Sequence, residues 1–298
     1  MIRTAQRSRL VTTVRPAITG ELVGRLVDTQ FPRWAGLPLR LVEPAGSDHV
    51  IHRLGDELAV RLPRHAGAIG QAEKEARWLP RLAPHLPLPV PVPVAVGRPG
   101  FGYPWPWAVS RWLDGEMATV EGLADAPHTA VVLAGFLDAL QRVPCTEGPS
   151  GDTRTLADRD GETRAAIARA AGVFDAAAMT VLWQAALDAP RWDRPPVWFH
   201  GDFHTGNLLA VRDRIRAVID FGGLGVGDPA RDMTIAFTLL SPGGRATFRK
   251  ALRVDEATWT RGRGWALATG LNAYHSYAAT NARVAAQTTR QITQALAG

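Results

Sequence analysis

The sequence predicts an α+β protein in two parts, a small antiparallel sheet followed by a larger, mostly helical region, and three observations carry the prediction. Residues 39–62 hold three short apolar runs, at 39–42, 50–54 and 58–62, split by the turn formers Pro44-Ala45-Gly46-Ser47-Asp48 and Gly55-Asp56-Glu57. From Leu113 onward the apolar residues recur mostly at helical spacing over long stretches. The strand-like runs expected in that second part each end in a polar, glycine-bearing turn: Val197-Trp198-Phe199 runs into His200-Gly201-Asp202-Phe203-His204-Thr205-Gly206-Asn207, and Arg216-Ala217-Val218-Ile219 into Asp220-Phe221-Gly222-Gly223.

Taken in order, residues 17–31 are expected to be helical, with Ile18, Leu22, Leu26 and Val27 on one side and Pro16 and Pro32 outside the ends. The three short runs then form an antiparallel meander. Residues 70–79 are rich in helix formers, and Pro80 with the proline cluster at 84–93 is expected to stop that helix. Strands at 92–96 and 105–112 complete a first part of about 110 residues, an ordinary domain size. Helices are expected at 129–143, 156–171 and 175–187, with a polar Gly- and Pro-bearing linker at 145–154. After the two motif strands, residues 229–240, 245–253 and 255 to the C-terminus are again helical in pattern. Neither an internal repeat nor a low-complexity tract is visible.

With 298 residues, 46% hydrophobic and 21% charged, the chain has the composition of a soluble globular protein long enough to bury a substantial core. Arg3, Arg7, Arg9, Arg15, Glu21 and Arg25 interrupt every apolar run near the N-terminus, so a secretion signal is not expected. The apolar stretch at 129–140 is too short to span a bilayer and carries Asp138, which points away from a membrane protein. The single cysteine, Cys145, cannot form an internal disulfide and suits a reducing, cytoplasmic setting. The formal charge of +6 comes from scattered arginines, with Lys74 and Lys250 the only lysines. Lacking interleaved aromatics, this charge reads as a solvated basic surface and not as a nucleic-acid site.

The chemistry lies in the two polar turns. Asp202 can accept a hydrogen bond from an attacking hydroxyl, Asn207 offers a neutral amide oxygen, and Asp220 adds a full negative charge. One base and two hard oxygen donors are a sufficient kit for phosphoryl transfer through magnesium, where catalysis is mostly positioning and charge neutralisation. A rival use is a zinc-dependent hydrolase site built from His200, Asp202 and His204, which alternate along the chain. That alternative leaves Asn207 and Asp220 without a task. A binding module that has lost its catalysis is disfavoured because the base and both oxygen donors are present. No Gly-x-Ser-x-Gly elbow supports a serine hydrolase.

The pair HGDFHTGNLL and IDFGG resembles the catalytic loop and metal motif of the aminoglycoside phosphotransferase and choline kinase group, whose fold is similar to that of protein kinases. Gly227-Asp228-Pro229-Ala230-Arg231-Asp232 resembles the segment that follows in that family. The resemblance runs from about Leu39 to about Phe237. It implies a protein-kinase-like two-lobed fold, with a nucleotide-binding lobe at 1–112 and a helical lobe at 113–298 holding the catalytic loop and the acceptor site. It implies Asp202 as the catalytic aspartate, Asn207 and Asp220 as ligands of Mg2+, and His200 as a structural brace of the loop. ATP or GTP would be the phosphoryl donor and a small-molecule hydroxyl the acceptor.

In the first lobe, Leu58-Ala59-Val60-Arg61-Leu62-Pro63 matches the strand that presents a phosphate-binding lysine in the family, with Glu75 its helix partner. Arg61 departs from the pattern, keeping the charge but replacing a compact ammonium by a planar fork. Gly46 and Ser47 stand where a glycine-rich phosphate loop is expected. Ser110 to Trp112 resembles the hinge that meets the purine through its backbone. Family members act on aminoglycosides, macrolides and other antibiotics, or on choline, homoserine or sugars. An antibiotic-type acceptor is the expectation here, with a small metabolite as the alternative. No acidic residue follows Glu256, so carboxylates for a polycation would have to come from Asp152, Asp158, Asp160 and Glu162, while Trp259, Trp265, Tyr274 and Tyr277 offer aromatic surface for a less charged acceptor.

Overall fold

A computed structural model describes residues 17–43, 47–145, 147–149 and 154–298. The chain divides into two compact units, one of residues 1–76 and 93–112, the other of residues 77–92 and 113–298.

The first unit is built on a five-stranded antiparallel sheet. Its strands are β1 (Leu39–Leu41), β2 (His49–Leu54), β3 (Leu58–Pro63), β4 (Pro93–Gly97) and β5 (Trp107–Arg111). The order is β1-β2-β3-β5-β4, so the first three strands form the expected meander, while β5 inserts between β3 and β4. Helix α1 (Gly20–Gln30) begins where the Thr19 side chain accepts a hydrogen bond from the Leu22 N–H. It buries Val23, Leu26 and Val27 with Leu54, Val60, Leu62, Trp107 and Val109 of the sheet. The residues of β3 and β5 that pack with the helix, Val60 and Leu62, Trp107 and Val109, alternate along their strands, and the register pairs Arg61 with Ile51 on one side and Ala108 on the other.

Helix α2 (Gln71–Leu82) runs through Pro80 instead of ending before it. Proline removes one donor, that of its own nitrogen, and this close to the helix C-terminus the loss is small beside the burial of Trp78, Leu79 and Leu82. Those side chains and Val90 belong to the core of the second unit. That is the physical reason residues 77–92 group with the second unit, whereas Glu75, earlier on the same helix, groups with the first.

The second unit contains α3 (Pro127–Arg142), α4 (Asp160–Ala170), α5 (Ala176–Asp188), α6 (Thr234–Thr238), α7 (Pro242–Ala251), α8 (Glu256–Tyr277) and α9 (Ala282–Ala297). The run expected to be helical over 229–240 begins as a 3-10 turn, Pro229–Met233, and the C-terminal helical stretch is broken at 278–281, where Asn281 caps a new helix by accepting the Val284 N–H.

Five short strands accompany these helices: β6 (Glu116–Met117), β7 (Val197–Phe199), β8 (Leu208–Val211), β9 (Arg214–Val218) and β10 (Gly225–Gly227). The two motif strands are therefore not hydrogen-bonded neighbours, since β7 pairs with β10 while β9 pairs with β8. Strands of two to five residues carry too little periodicity for their partners to be read from sequence. Among the described residues no helix is long and apolar enough to cross a membrane.

Candidate active site

In the second unit, Trp198 and Phe199 of β7 are buried, and His200 at its end is fully buried. The His200 ring is held by the fold at both nitrogens: Nε2 donates to the Ile219 carbonyl at 3.1 Å, and Nδ1 accepts the Asp202 N–H at 3.3 Å. Burial holds its pKa down at about 4, so the ring is neutral. The proposed zinc set loses its first ligand because both ring nitrogens are already bonded within the fold, and the described residues contain no cluster of three or more histidine, cysteine or acidic side chains able to hold a metal ion.

Gly201 turns the chain with φ +86°, and an added Cβ there would lie 2.1 Å from the Gly223 carbonyl oxygen. The turn is pinned from below by Asp232, whose two carboxylate oxygens accept the N–H groups of His200 at 2.7 Å and Gly201 at 2.8 Å. Burial pushes the Asp232 pKa up to about 7 against the pull of those two donors. Phe203 anchors the far side of the loop by stacking on Phe136 of α3, with ring centroids 5.6 Å apart.

Asp202 and Asn207 meet directly. The Asn207 Nδ2 donates to the Asp202 carbonyl at 2.9 Å and to Asp202 Oδ2 at 3.0 Å. Burial opposes the charged form of Asp202, but His204, His200 and the Asn207 amide outweigh it and hold the carboxyl at about 2. The side chain still keeps 57% of its surface open, so solvent access and not enclosure describes its reactive face. His204 lies with Nε2 3.4 Å from Asp202 Oδ2, and its Nδ1 accepts from Gly206 N at 3.0 Å and faces Gln287 Nε2 at 2.9 Å. Gln287 comes from α9, some eighty residues on.

Asp220 is delivered by the β8–β9 hairpin that Asn207 begins: the Ile219 N–H donates to the Asn207 carbonyl at 2.9 Å. Asp220 itself is left-handed, φ 62° and ψ 73°, a conformation that a non-glycine residue adopts at some cost and that here accompanies acceptance of the Gly222 N–H at 3.4 Å. Asn207, having spent its Nδ2 on Asp202, has an amide oxygen that accepts no hydrogen bond among the described residues. An amide oxygen and the carboxylate at the end of the hairpin that follows it are hard donors of the kind that fits magnesium, an ion that takes few protein ligands and fills its shell with water and phosphate.

In the first unit, Arg61 Nη1 and Glu75 Oε2 form a buried ion pair at 2.7 Å. Replacing Glu75 by Ala should destabilise the protein by about 3–5 kcal/mol, read as a lower urea midpoint, because a buried ion pair loses one of its members. Ser47 is exposed and donates to Asp48 Oδ1 at 3.0 Å, while Gly46 lies outside the described residues. Ser110 is fully buried within the sheet, and the Trp112 N–H donates to the Glu57 carbonyl at 2.7 Å, so any purine contact along this stretch falls to its remaining backbone groups.

Sequence reasoning missed the roles of Asp232 and Gln287. A carboxylate directly before the apolar run Met233-Thr234-Ile235-Ala236-Phe237 was a visible signal for Asp232. Nothing marks Gln287. Of the acids considered for an acceptor, Asp158 accepts from Thr155 N and Oγ, Asp160 from Arg164 and the Trp183 indole, and Glu162 lies 3.8 Å from Arg154; Asp152 lies outside the described residues.

This fold recurs in solved phosphotransferases of the kinase-like type. The chain is similar to the GDP and kanamycin complex of APH(2")-IIia, at 17% identity and TM-score 0.72, covering 92% of this chain and 97% of the other. It is also similar to a macrolide 2'-phosphotransferase from Brachybacterium faecium, at 23% identity and TM-score 0.61, covering 91% and 97%. The streptomycin-ATP-APH(2")-IIa ternary complex matches at 17% identity and TM-score 0.57, covering 94% and 97%. No curated protein matches the chain in sequence. The chain belongs to the phosphotransferase enzyme family, whose model matches residues 41–265.

Proposed function

We propose that the protein transfers the γ-phosphoryl group of a magnesium-bound nucleoside triphosphate to a hydroxyl of a small molecule of the antibiotic type. The observation that carries this reading is the direct bonding of Asp202 to Asn207, with Asp220 set at the end of the hairpin that Asn207 begins. Family membership supports it, as do neighbours solved with GDP, ATP, kanamycin and streptomycin and one that is a macrolide phosphotransferase.

Asp202 orients the acceptor hydroxyl and takes its proton as the acceptor oxygen bonds to the γ-phosphorus. The bond from that phosphorus to the bridging oxygen breaks, and the nucleoside diphosphate leaves. Asn207 and Asp220 are the residues that would hold magnesium, which supplies charge neutralisation on the phosphates. Arg61, fixed by Glu75, is the candidate phosphate contact of the first unit, with Gly46, Ser47 and the backbone of Ser110 to Trp112 as candidate nucleotide contacts. A cytoplasmic setting agrees with the nucleotide donor and the single cysteine.

The test is transfer of label from γ-labelled ATP and GTP to a panel of hydroxyl-bearing antibiotics, choline, homoserine and sugars, with magnesium present or chelated. Magnesium-dependent product on an antibiotic is expected. Label on choline, homoserine or a sugar alone would replace the antibiotic by a metabolite. Zinc-dependent hydrolysis without any nucleotide effect would overturn the proposal.

A further inference from the structure

Helix α9 turns one stripe toward the protein, with Thr288, Gln291, Ile292 and Ala295 buried along it. Gln287 stands at the edge of that stripe, one helical turn before Gln291, so its amide meets protein where most of the polar side chains of the helix meet water. The helix is tied down on both sides of this position. Gln291 Nε2 donates to the Ala266 carbonyl at 2.7 Å and to Thr269 Oγ1 at 2.9 Å, which fixes α9 on α8. Arg290 donates to the carbonyls of Thr238, Leu239 and Leu240 at 3.2, 3.1 and 3.2 Å. The Thr238 hydroxyl in turn accepts the N–H of Thr205, the residue after His204, at 3.2 Å. The turn of α9 that carries Gln287 is thereby held in register with the loop that carries Asp202.

Gln287 Nε2 lies 2.9 Å from His204 Nδ1, and the same nitrogen accepts the Gly206 N–H at 3.0 Å. The imidazole is seated on Gly206, where a Cβ would lie 2.7 Å from its Cε1 and 3.0 Å from its Nδ1. Two donors aimed at one ring nitrogen leave it no hydrogen of its own, so the neutral ring carries its hydrogen on Nε2. Burial works against charge on this ring and the Asp202 carboxylate outweighs it, raising the pKa, but the charged ring carries the Nε2 hydrogen as well. In either state Nε2 is a donor, and it stands 3.4 Å from Asp202 Oδ2.

The two carboxylate oxygens of Asp202 differ as a result. Oδ2 faces His204 Nε2 and accepts Asn207 Nδ2 at 3.0 Å, whereas Oδ1 accepts no hydrogen bond among the described residues. Donors converging on one oxygen restrain rotation of the carboxylate and draw charge toward that oxygen, which leaves the other to meet a ligand.

We infer that Gln287 is a positioning residue of the transfer reaction: it holds His204 so that Nε2–H and the Asn207 amide together fix Asp202 Oδ2, leaving Oδ1 to take the proton of the acceptor hydroxyl. The inference rests on the phosphotransferase reading for the reaction, while the hold of Gln287 on His204 stands apart from it.

NMR on the full chain, with histidine labelled at its ring nitrogens, reads that hold without nucleotide or acceptor, the His204 signals being those missing from a His204→Ala variant. With the ring neutral, the wild type should show a bare Nδ1 and a hydrogen on Nε2, and Gln287→Leu should lose this single state through an Nδ1 hydrogen or exchange broadening. In the transfer assay Gln287→Leu should lower kcat about tenfold, the scale of one hydrogen bond, with KM for the nucleotide unchanged. Gln287→Met, which keeps the length and helix propensity of the side chain, should do the same. In a His204→Ala background either substitution should change kcat less than about twofold, because its effect runs through the imidazole. Unchanged His204 signals in both Gln287 variants overturn the inference, and so does an equal loss of kcat in the two backgrounds, which would make Gln287 a packing residue only. Undiminished transfer by the Gln287 variants would sink the inference and leave the phosphotransferase standing. A wild type that transfers to no acceptor, with His204 released in Gln287→Leu, would sink the phosphotransferase reading and the catalytic role with it, and would keep the hold of Gln287 on His204.

Discussion

Asp202→Asn should lower kcat by about 10²- to 10⁴-fold with a melting temperature close to that of the wild type. The expectation follows from what the substitution keeps and what it removes. An Asn side chain can still present an oxygen to Asn207 Nδ2, so the loop keeps its internal bond, but its amide cannot take a proton from the acceptor hydroxyl. The carboxylate is more than half exposed, so its electrostatic share in stability is screened by water and its loss should barely move the unfolding transition. Its folded pKa, at about 2, lies below the ordinary aspartate range, so the stability it does contribute is present above about pH 4 and is lost only as the pH falls through 2. Across pH 5 to 8 the group is charged throughout, and the wild-type rate should show no acid limb from Asp202 in that window. Steady-state kinetics and a thermal melt on the same preparation check both halves. A variant that melts as the wild type and turns over at the wild-type rate would remove Asp202 from the mechanism.

The parts of this site that were legible in the sequence are those whose chemistry is local. Asp202 and Asn207 are five residues apart on one turn, and the hydrogen bonds between them are bonds of that turn. Asp220 was legible because the hairpin joining it to Asn207 is short enough for an apolar run and a glycine turn to announce its end. Arg61 and Glu75 were paired through the resemblance of residues 58–63 and the helix after them to a known family, and the ion pair between them joins a strand residue to a helix residue fourteen positions on. The contacts that hold the loop are of another kind. Asp232 reaches back some thirty residues to two backbone N–H groups, and Gln287 reaches back more than eighty to one imidazole nitrogen. Such bonds depend on how helices pack and leave no spacing to read. Strand partners are illegible for the same reason: β7 and β9 each find their hydrogen bonds in a three- or four-residue neighbour whose pattern is too short to count. Pro80 misled in the opposite direction, since a local rule about proline gave way to the burial of Trp78, Leu79 and Leu82 around it.

Gly201→Ala should destabilise the protein by about 2–5 kcal/mol, from roughly 1–2 for a side chain at positive φ and roughly 1–3 for overpacking. Two independent constraints meet at this residue. Its φ of +86° is one that a Cβ resists, and the Cβ would stand 2.1 Å from the Gly223 carbonyl oxygen, an atom of backbone that no rotamer change can move aside. Gly223 is equally confined, with Gly201 carbonyl carbon 2.9 Å from its own missing Cβ, so the two motif turns touch backbone to backbone. Relief of the clash must therefore separate the turn carrying Asp202 from the turn that follows Asp220. The catalytic rate should fall along with stability, even under conditions where the variant is fully folded. Gly135→Ala is the control: it lies exposed in the middle of α3 with nothing within 4 Å of its would-be Cβ, and should stabilise by about 0.5–1 kcal/mol through helix propensity alone. Urea midpoints of the two variants, and kcat for Gly201→Ala measured well below its midpoint, separate loss of fold from loss of alignment. If Gly201→Ala kept the wild-type kcat, close contact of the two turns would not be what aligns Asp202 with Asp220.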